Sequence, residues 1–220
     1  MTEETTPPAP APAPAAVQAP PAPKRPKKGA GRPVHPVLHV LYELYPKLFG
    51  ARFLPLKLGV FEELIAAHPD RLKPEELKAA LGFHTRSNRY LEAVASGLPR
   101  HDLQGRPVEP VAPEHVHHTI LELARRKSGT PQEEAARERA VADLVAAIER
   151  SGLGRDGYRE RFGGGHEAGQ SLLDEAMAVL GQKAARQEAL QRAFQASGKS
   201  VEAFAEMYGL DPRDVAKLAS

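Results

Sequence analysis

The run His84-Thr85-Arg86-Ser87-Asn88-Arg89-Tyr90-Leu91 gathers hydroxyls, guanidiniums and a phenol in one short stretch. Thr85 is a good N-cap, and Tyr90, Leu91 and Val94 recur at the spacing of a buried stripe, so the pattern predicts a helix starting at Thr85. Acidic residues normally occupy a first helical turn, where they complement the positive end of the helix dipole, but here that turn carries Arg86 and Arg89. Backbone N–H groups outside the helical ladder, two hydroxyls and two guanidiniums together form a receptor for an anion, with phosphate the best match. A solvated helix start with idle arginines fits the same residues. Tyr90 lies one turn in, at a phase that suits either a core position or a contact through its hydroxyl. Arg89 is equally divided between an anion contact and a buttress for Asp102 or another carboxylate. Lys57 is the one charge in the apolar entry Leu54–Phe61, and its ammonium must snorkel to a surface.

Other chemistries find little support. Cys is absent, which removes disulfides and thiolate metal sites. No Gly-rich phosphate loop precedes a Lys-Ser/Thr pair, and no acid/base pair has a defensible geometry, so no catalytic residue, no cofactor and no enzymatic activity are expected. His115, His117 and His118 lack the i, i+4 spacing and the accompanying carboxylate of a helical metal site; hydrated surface histidines are expected, and no metal.

Elements able to position the anion receptor can be read on both sides of it. Pro36 suits the first position of a helix carrying Val37, Leu38, Val40, Leu41, Leu44 and Tyr45, which Pro46 kinks or ends. A second helix follows Gly59, with Leu64 and Ile65 inward, and His68-Pro69-Asp70 closes it. A third begins at Pro74-Glu75-Glu76 and buries Leu77, Ala80 and Leu81; Gly82 is expected to stop it, delivering the chain to a cap at Thr85. Residues 100–108 predict a small β-hairpin with Gly105 at a positive φ, and Pro113 opens a helix bearing Val116, Ile120 and Leu123. Arg125, Arg126 and Lys127 end that helix as ordinary dipole partners.

The fold is therefore expected to be mainly α with a small β-hairpin. Residues 1–33 are a Pro/Ala-rich tail whose composition supports no core and predicts disorder. It ends in a basic cluster, Lys24, Arg25, Lys27, Lys28 and Arg32, which is either a solubilising linker or an auxiliary arm for nucleic acid. Residues 1–128 hold 18 Lys and Arg against 13 Asp and Glu, whereas residues 129–220 hold 12 against 15. A polyanion would therefore be bound by the first part. No apolar run approaches a membrane span and no signal-peptide core is present, so a cytoplasmic protein without a membrane partner is expected.

Four motifs in order, Pro55-Leu56-Lys57-Leu58-Gly59-Val60-Phe61, Leu77-Lys78-Ala79-Ala80-Leu81, Thr85-Arg86-Ser87-Asn88-Arg89-Tyr90-Leu91 and Arg100-His101-Asp102-Leu103-Gln104-Gly105, closely resemble the ProQ/FinO family of RNA chaperones. The resemblance covers roughly residues 36–125 and implies a compact ProQ/FinO-like RNA-binding domain over 34–128, followed by a separate all-α region over 129–220. It further implies binding of structured small RNAs and mRNA 3′ regions, at the base of a terminator hairpin and its 3′ tail, for post-transcriptional regulation. Carried over by position, the RNA-binding residues are Lys57, Lys78, Thr85, Arg86, Ser87, Arg89, Tyr90 and Arg100. The chain departs from the family at Asn88, where a bulky aromatic is often found, and at His84, where Tyr is common. Pro74 and Gly82 occupy positions that are basic in some relatives, which implies a less cationic third helix and a weaker grip on the duplex flank.

The second half predicts a helix from Glu133 to Arg150, breaks at Gly152, Gly154, Gly157 and Gly163-Gly164-Gly165, and a long helix over 171–196. Residues 201–215 carry the small-residue and turn-Gly spacing of a helix-turn-helix, through Ala205, Gly209, Leu210 and Val215. The alternative function is thus a DNA-binding regulator, but the second helix of this motif offers only Arg213 and Lys217 beside Asp211 and Asp214. Packing on the RNA domain, a protein partner or a second copy is the preferred reading of these C-terminal helices.

Overall fold

The computed structural model describes residues 35–50 and 52–218. The Pro/Ala tail and the basic cluster Lys24–Arg32 lie outside the described residues. The described chain is mainly α-helical with one two-stranded antiparallel sheet, as the sequence predicts.

Helix α1 (Pro36–Leu44) starts with Pro at its first position, and the His35 ring accepts the Val37 N–H at 3.3 Å. Pro46 ends it and opens the single turn α2 (Pro46–Phe49), which buries Leu48 and Phe49 completely. Helix α3 (Val60–Ala67) follows Gly59, whose φ of 79° is open to glycine and strained for other residues. Helix α4 (Pro74–Thr85) buries Leu77, Ala80, Leu81 and His84, an i, i+3, i+4, i+7 stripe facing α1. Gly82 does not stop it. The helix runs on to Thr85, because burial of His84 on the same stripe rewards one further turn.

Helix α5 (Asn88–Ala95) buries Tyr90, Val94 and Ala95. Strands β1 (Arg100–His101) and β2 (Pro107–Glu109) form the expected hairpin, with Gly105 at φ 75° and Asp102 Oδ1 accepting the Gln104 and Arg106 N–H groups at 3.0 and 2.9 Å. Pro55–Lys57 lies along the other side of β1 through a parallel bridge: His101 N–H donates to Pro55 O at 2.7 Å and Lys57 N–H to His101 O at 2.9 Å.

Helix α6 (Pro113–Arg125) turns tightly into α7 (Glu133–Ser151). Glu133 pins that turn by accepting from Gly129 N–H (2.8 Å) and Ser128 Oγ (3.2 Å). After Gly152 come α8 (Gly154–Phe162) and the long α9 (Glu167–Ser197). Gly157, expected to break the chain, lies inside α8, where burial of the adjacent Tyr158 outweighs the modest helix cost of one glycine. The principal apolar cluster runs continuously from Val37 through α7 and α8 to Leu180. Beyond Gly181, α9 is largely exposed until Ala193 and Phe194 meet a second cluster built on Phe204, Ala205 and Val215 from α10 (Val201–Tyr208) and α11 (Pro212–Leu218). Gly209, at φ 63°, makes the turn between them, and Leu210 N–H reaches Ala205 O at 2.9 Å. Among the described residues, no helix is long and apolar enough to cross a membrane.

Candidate nucleic-acid interface

The N-cap of α5 is Ser87, not Thr85. Ser87 Oγ accepts the Tyr90 N–H at 3.3 Å and donates to His84 O at 2.6 Å, fastening the start of one helix to the end of the other. Thr85 ends α4 and spends its hydroxyl proton on Leu81 O at 2.9 Å. Both residues have the same capping chemistry on paper; the extra turn of α4 moves the cap by two positions. Arg86 and Ser87 alone link the helices, and the Arg86 side chain folds back over Gly82. A Cβ at residue 82 would lie 2.8 Å from Arg86 Nη2, so this glycine makes room for the guanidinium.

Arg86 and Arg89 are both exposed, and the first turn of α5 contains no acid. The Arg89 guanidinium lies over the Phe53 ring at 4.4 Å, a cation–π contact that holds it beside the chain entering Leu56. Beneath it, the His84 ring packs against Phe49, Phe53 and Tyr90, with centroids 4.7, 4.4 and 5.2 Å away. Burial, reinforced by the nearby Arg89 charge, lowers the His84 pKa to about 4, so the ring is neutral near pH 7. His84 thus fills an aromatic position as an aromatic.

Tyr90 is a core residue with a polar task. It is only 7% exposed, and its hydroxyl accepts the Leu56 N–H at 3.0 Å. Burial raises its pKa. The Leu56 carbonyl accepts from Arg100 Nη1 at 2.9 Å, so Tyr90 and Arg100 grip Leu56 by its two backbone polar groups. Arg100 also approaches His115 Nδ1 (3.3 Å) and Glu109 (3.9 Å). Its guanidinium is therefore mostly engaged within the protein, with a side chain 15% exposed.

Lys57 reaches the surface as expected and meets Glu63 there, a partner not expected from the sequence. The hydrogen bond and charge of Glu63 raise the lysine pKa. The signal was available in principle: Gly59 turns the chain tightly enough to bring residues 57 and 63 together. Lys78 is exposed on α4, about 10 Å along the axis from Thr85 at 1.5 Å per residue. The structure thus gathers Lys57, Arg89, Tyr90 and Arg100 around the Phe53–Lys57 segment, with Thr85, Arg86 and Ser87 in the adjoining turn.

Residues 31–136 match the model of the ProQ/FINO family. Relatives include the RNA chaperone ProQ of Shewanella oneidensis, 35% identical over 115 residues that make up 50% of this chain and 52% of that protein. Residues 31–136 are a ProQ/FinO-family domain. The RNA chaperone ProQ of Haemophilus influenzae is 34% identical over 108 residues, 47% of this chain and 55% of that one. The chain spans about half the length of these curated relatives. A solved FinO-like RNA chaperone from Neisseria meningitidis MC58 shares 35% identity, covering 38% of this chain and 85% of that chain, at a TM-score of 0.35. The ProQ/FinO match encloses every residue gathered at the α4–α5 turn and extends into the start of α7.

Two features of the fold differ from what the sequence predicts. His117 is buried, not hydrated: its Nδ1 lies 3.2 Å from the Tyr158 hydroxyl, and its ring stacks on Phe162 at 5.1 Å. The aromatics that cover it come from α8, some 40 residues away, so local spacing carried no hint. Arg126, read as a dipole partner, sends Nη1 to Arg86 O (2.7 Å) and Asn88 Oδ1 (2.8 Å).

Proposed function

We propose that this chain is an RNA-binding chaperone that holds the 3′ end of structured RNAs, gripping a terminator hairpin and its tail without covalent chemistry. The observation that carries this reading is the α4–α5 turn, with Ser87 as cap, Arg86 and Arg89 exposed and no acid in the first turn of α5. It lies within the ProQ/FinO match, and relatives over the same residues are named RNA chaperones. A-form RNA hides its major groove, so a reader of structured RNA depends on phosphates, 2′-hydroxyls and unpaired ends, which suit hydroxyls, N–H groups and guanidiniums.

On this reading Arg86, Arg89 and Lys78 face the backbone directly. Ser87 and the first N–H groups of α5 receive the terminal phosphate or hydroxyl, with Thr85 closing α4 beside them. Lys57 exchanges Glu63 for a phosphate, while Arg100 and Tyr90 act chiefly through the Leu56 backbone they hold. Small RNAs and mRNA 3′ regions are the expected targets, in the cytoplasm. The α10–α11 pair, with Met207 and Tyr208 exposed, is the place for a protein or self-contact. DNA binding through this pair gains no support: Lys217 is paired with Asp214 at 2.8 Å, and the ProQ/FinO match ends well before it.

The test is a gel shift with a terminator hairpin carrying a free 3′ U tail. Tight, salt-sensitive binding that weakens when the 3′ end is phosphorylated or extended supports the reading, and unchanged affinity for the altered ends overturns end recognition.

A further inference from the structure

We propose that the C-terminal end of α6 and helix α7 serve as a splint for α5, and that Arg126 and Arg150 are positioning residues that fix its two ends. The proposal rests on the RNA-binding reading for its consequence, but its geometry does not depend on it. Helix α5 has eight residues, too few to be stable alone, and the cation Arg89 in its first turn opposes its dipole. Something outside the helix must hold it.

At the N-terminal end, the Arg126 guanidinium makes three bonds: Nη1 to Arg86 O at 2.7 Å, Nη1 to Asn88 Oδ1 at 2.8 Å, and Nε to Glu122 at 2.9 Å. Glu122 is itself fixed by Arg125 at 2.7 and 2.9 Å, and the two arginines lower its pKa to about 2. It is therefore an ionised anchor that aims Arg126 at the turn. At the C-terminal end, Arg150 of α7 donates from Nη1 to Ser96 O and from Nε to Ala146 O, the latter at 3.1 Å. Its guanidinium occupies the space where a side chain at residue 97 would stand, and residue 97 is a glycine at φ 76°. Between these ends, Asn88 and Glu92 of α5 share a crevice with Ala136, Ala140 and Asp143 of α7. Both arginines place their donors on backbone or side-chain oxygens of the segment that presents Ser87, Arg89 and Tyr90. They set its position from outside.

Lysine keeps the charge at either position but cannot reproduce bonds made from two nitrogens of one rigid guanidinium. Two measurements on the full chain, Arg126→Lys and Arg150→Lys beside the parent, decide the matter. Amide hydrogen exchange without RNA should quicken selectively over residues 87–96 in each variant, while the melting temperature moves by only a few degrees. Binding of the terminator hairpin should weaken about three- to ten-fold with an unchanged salt slope, as no phosphate contact is lost. Arg86→Ala should instead lower the slope. Parent-like exchange in α5 overturns the splint, as does parent-like affinity, a fallen slope or global unfolding of either lysine variant. A parent protein that ignores the hairpin defeats the RNA reading alone, and the exchange result still decides the splint.

Discussion

Lys57 and Glu63 make the most accessible prediction at the scale of single residues. Their surface pair holds the lysine charge back from any incoming phosphate. Glu63→Gln should tighten hairpin binding by about two- to five-fold, the range expected for a surface ion pair, and titration at two salt concentrations would read it. Tyr90→Phe should show what its hydroxyl does. The Leu56 N–H would lose its buried acceptor, costing about 1–2 kcal/mol in denaturant-induced unfolding. His84 predicts the pH response. Its folded pKa of about 4 lies below the 6.5 of an unconstrained histidine, so the unfolded state binds the extra proton. Its stabilising contribution is complete above pH 6.5 and declines as the pH falls toward 4, by up to about 3 kcal/mol. His84→Phe should flatten that part of a stability-versus-pH curve.

At the scale of elements, the turns carry the tension. Gly97 has φ 76° and lies beneath the Arg150 guanidinium, so Gly97→Ala combines strain with a collision and should cost about 1–2 kcal/mol in thermal unfolding. The order of helices apart from α8, the break at Pro46 and the Gly105 hairpin were legible, because proline, glycine and apolar period act locally. The cap was misplaced by two residues. Thr85 and Ser87 are equivalent in sequence, and the choice between them is made by His84, whose burial against Phe49, Phe53 and Tyr90 extends α4. Arg86, Arg89 and Tyr90 were identified from their positions in the motif, but Tyr90 could be assigned to the core only once its hydroxyl was seen to hold Leu56. Arg126 was invisible as a brace, since its partners lie 38 and 40 residues away.

At the scale of the whole molecule, charge is divided unevenly along the sequence, and the described residues from α1 to the first half of α9 share a continuous core. Residues 1–128 carry the basic excess of the sequence and include the α4–α5 turn, while α7, α8 and the first half of α9 complete the apolar cluster that begins at Val37. Exposed α9 then leads to the separate cluster of α10 and α11. We propose that the α4–α5 turn receives an RNA 3′ end. The most direct test is the affinity of the full chain for one terminator hairpin carrying a 3′-hydroxyl, compared with the same RNA carrying a 3′-phosphate, in the parent and in Ser87→Ala. Tight binding to the 3′-hydroxyl, discrimination between the two ends by the parent, and loss of that discrimination in Ser87→Ala are expected. Equal affinity of the parent for both ends, or discrimination undiminished by Ser87→Ala, would contradict the proposal.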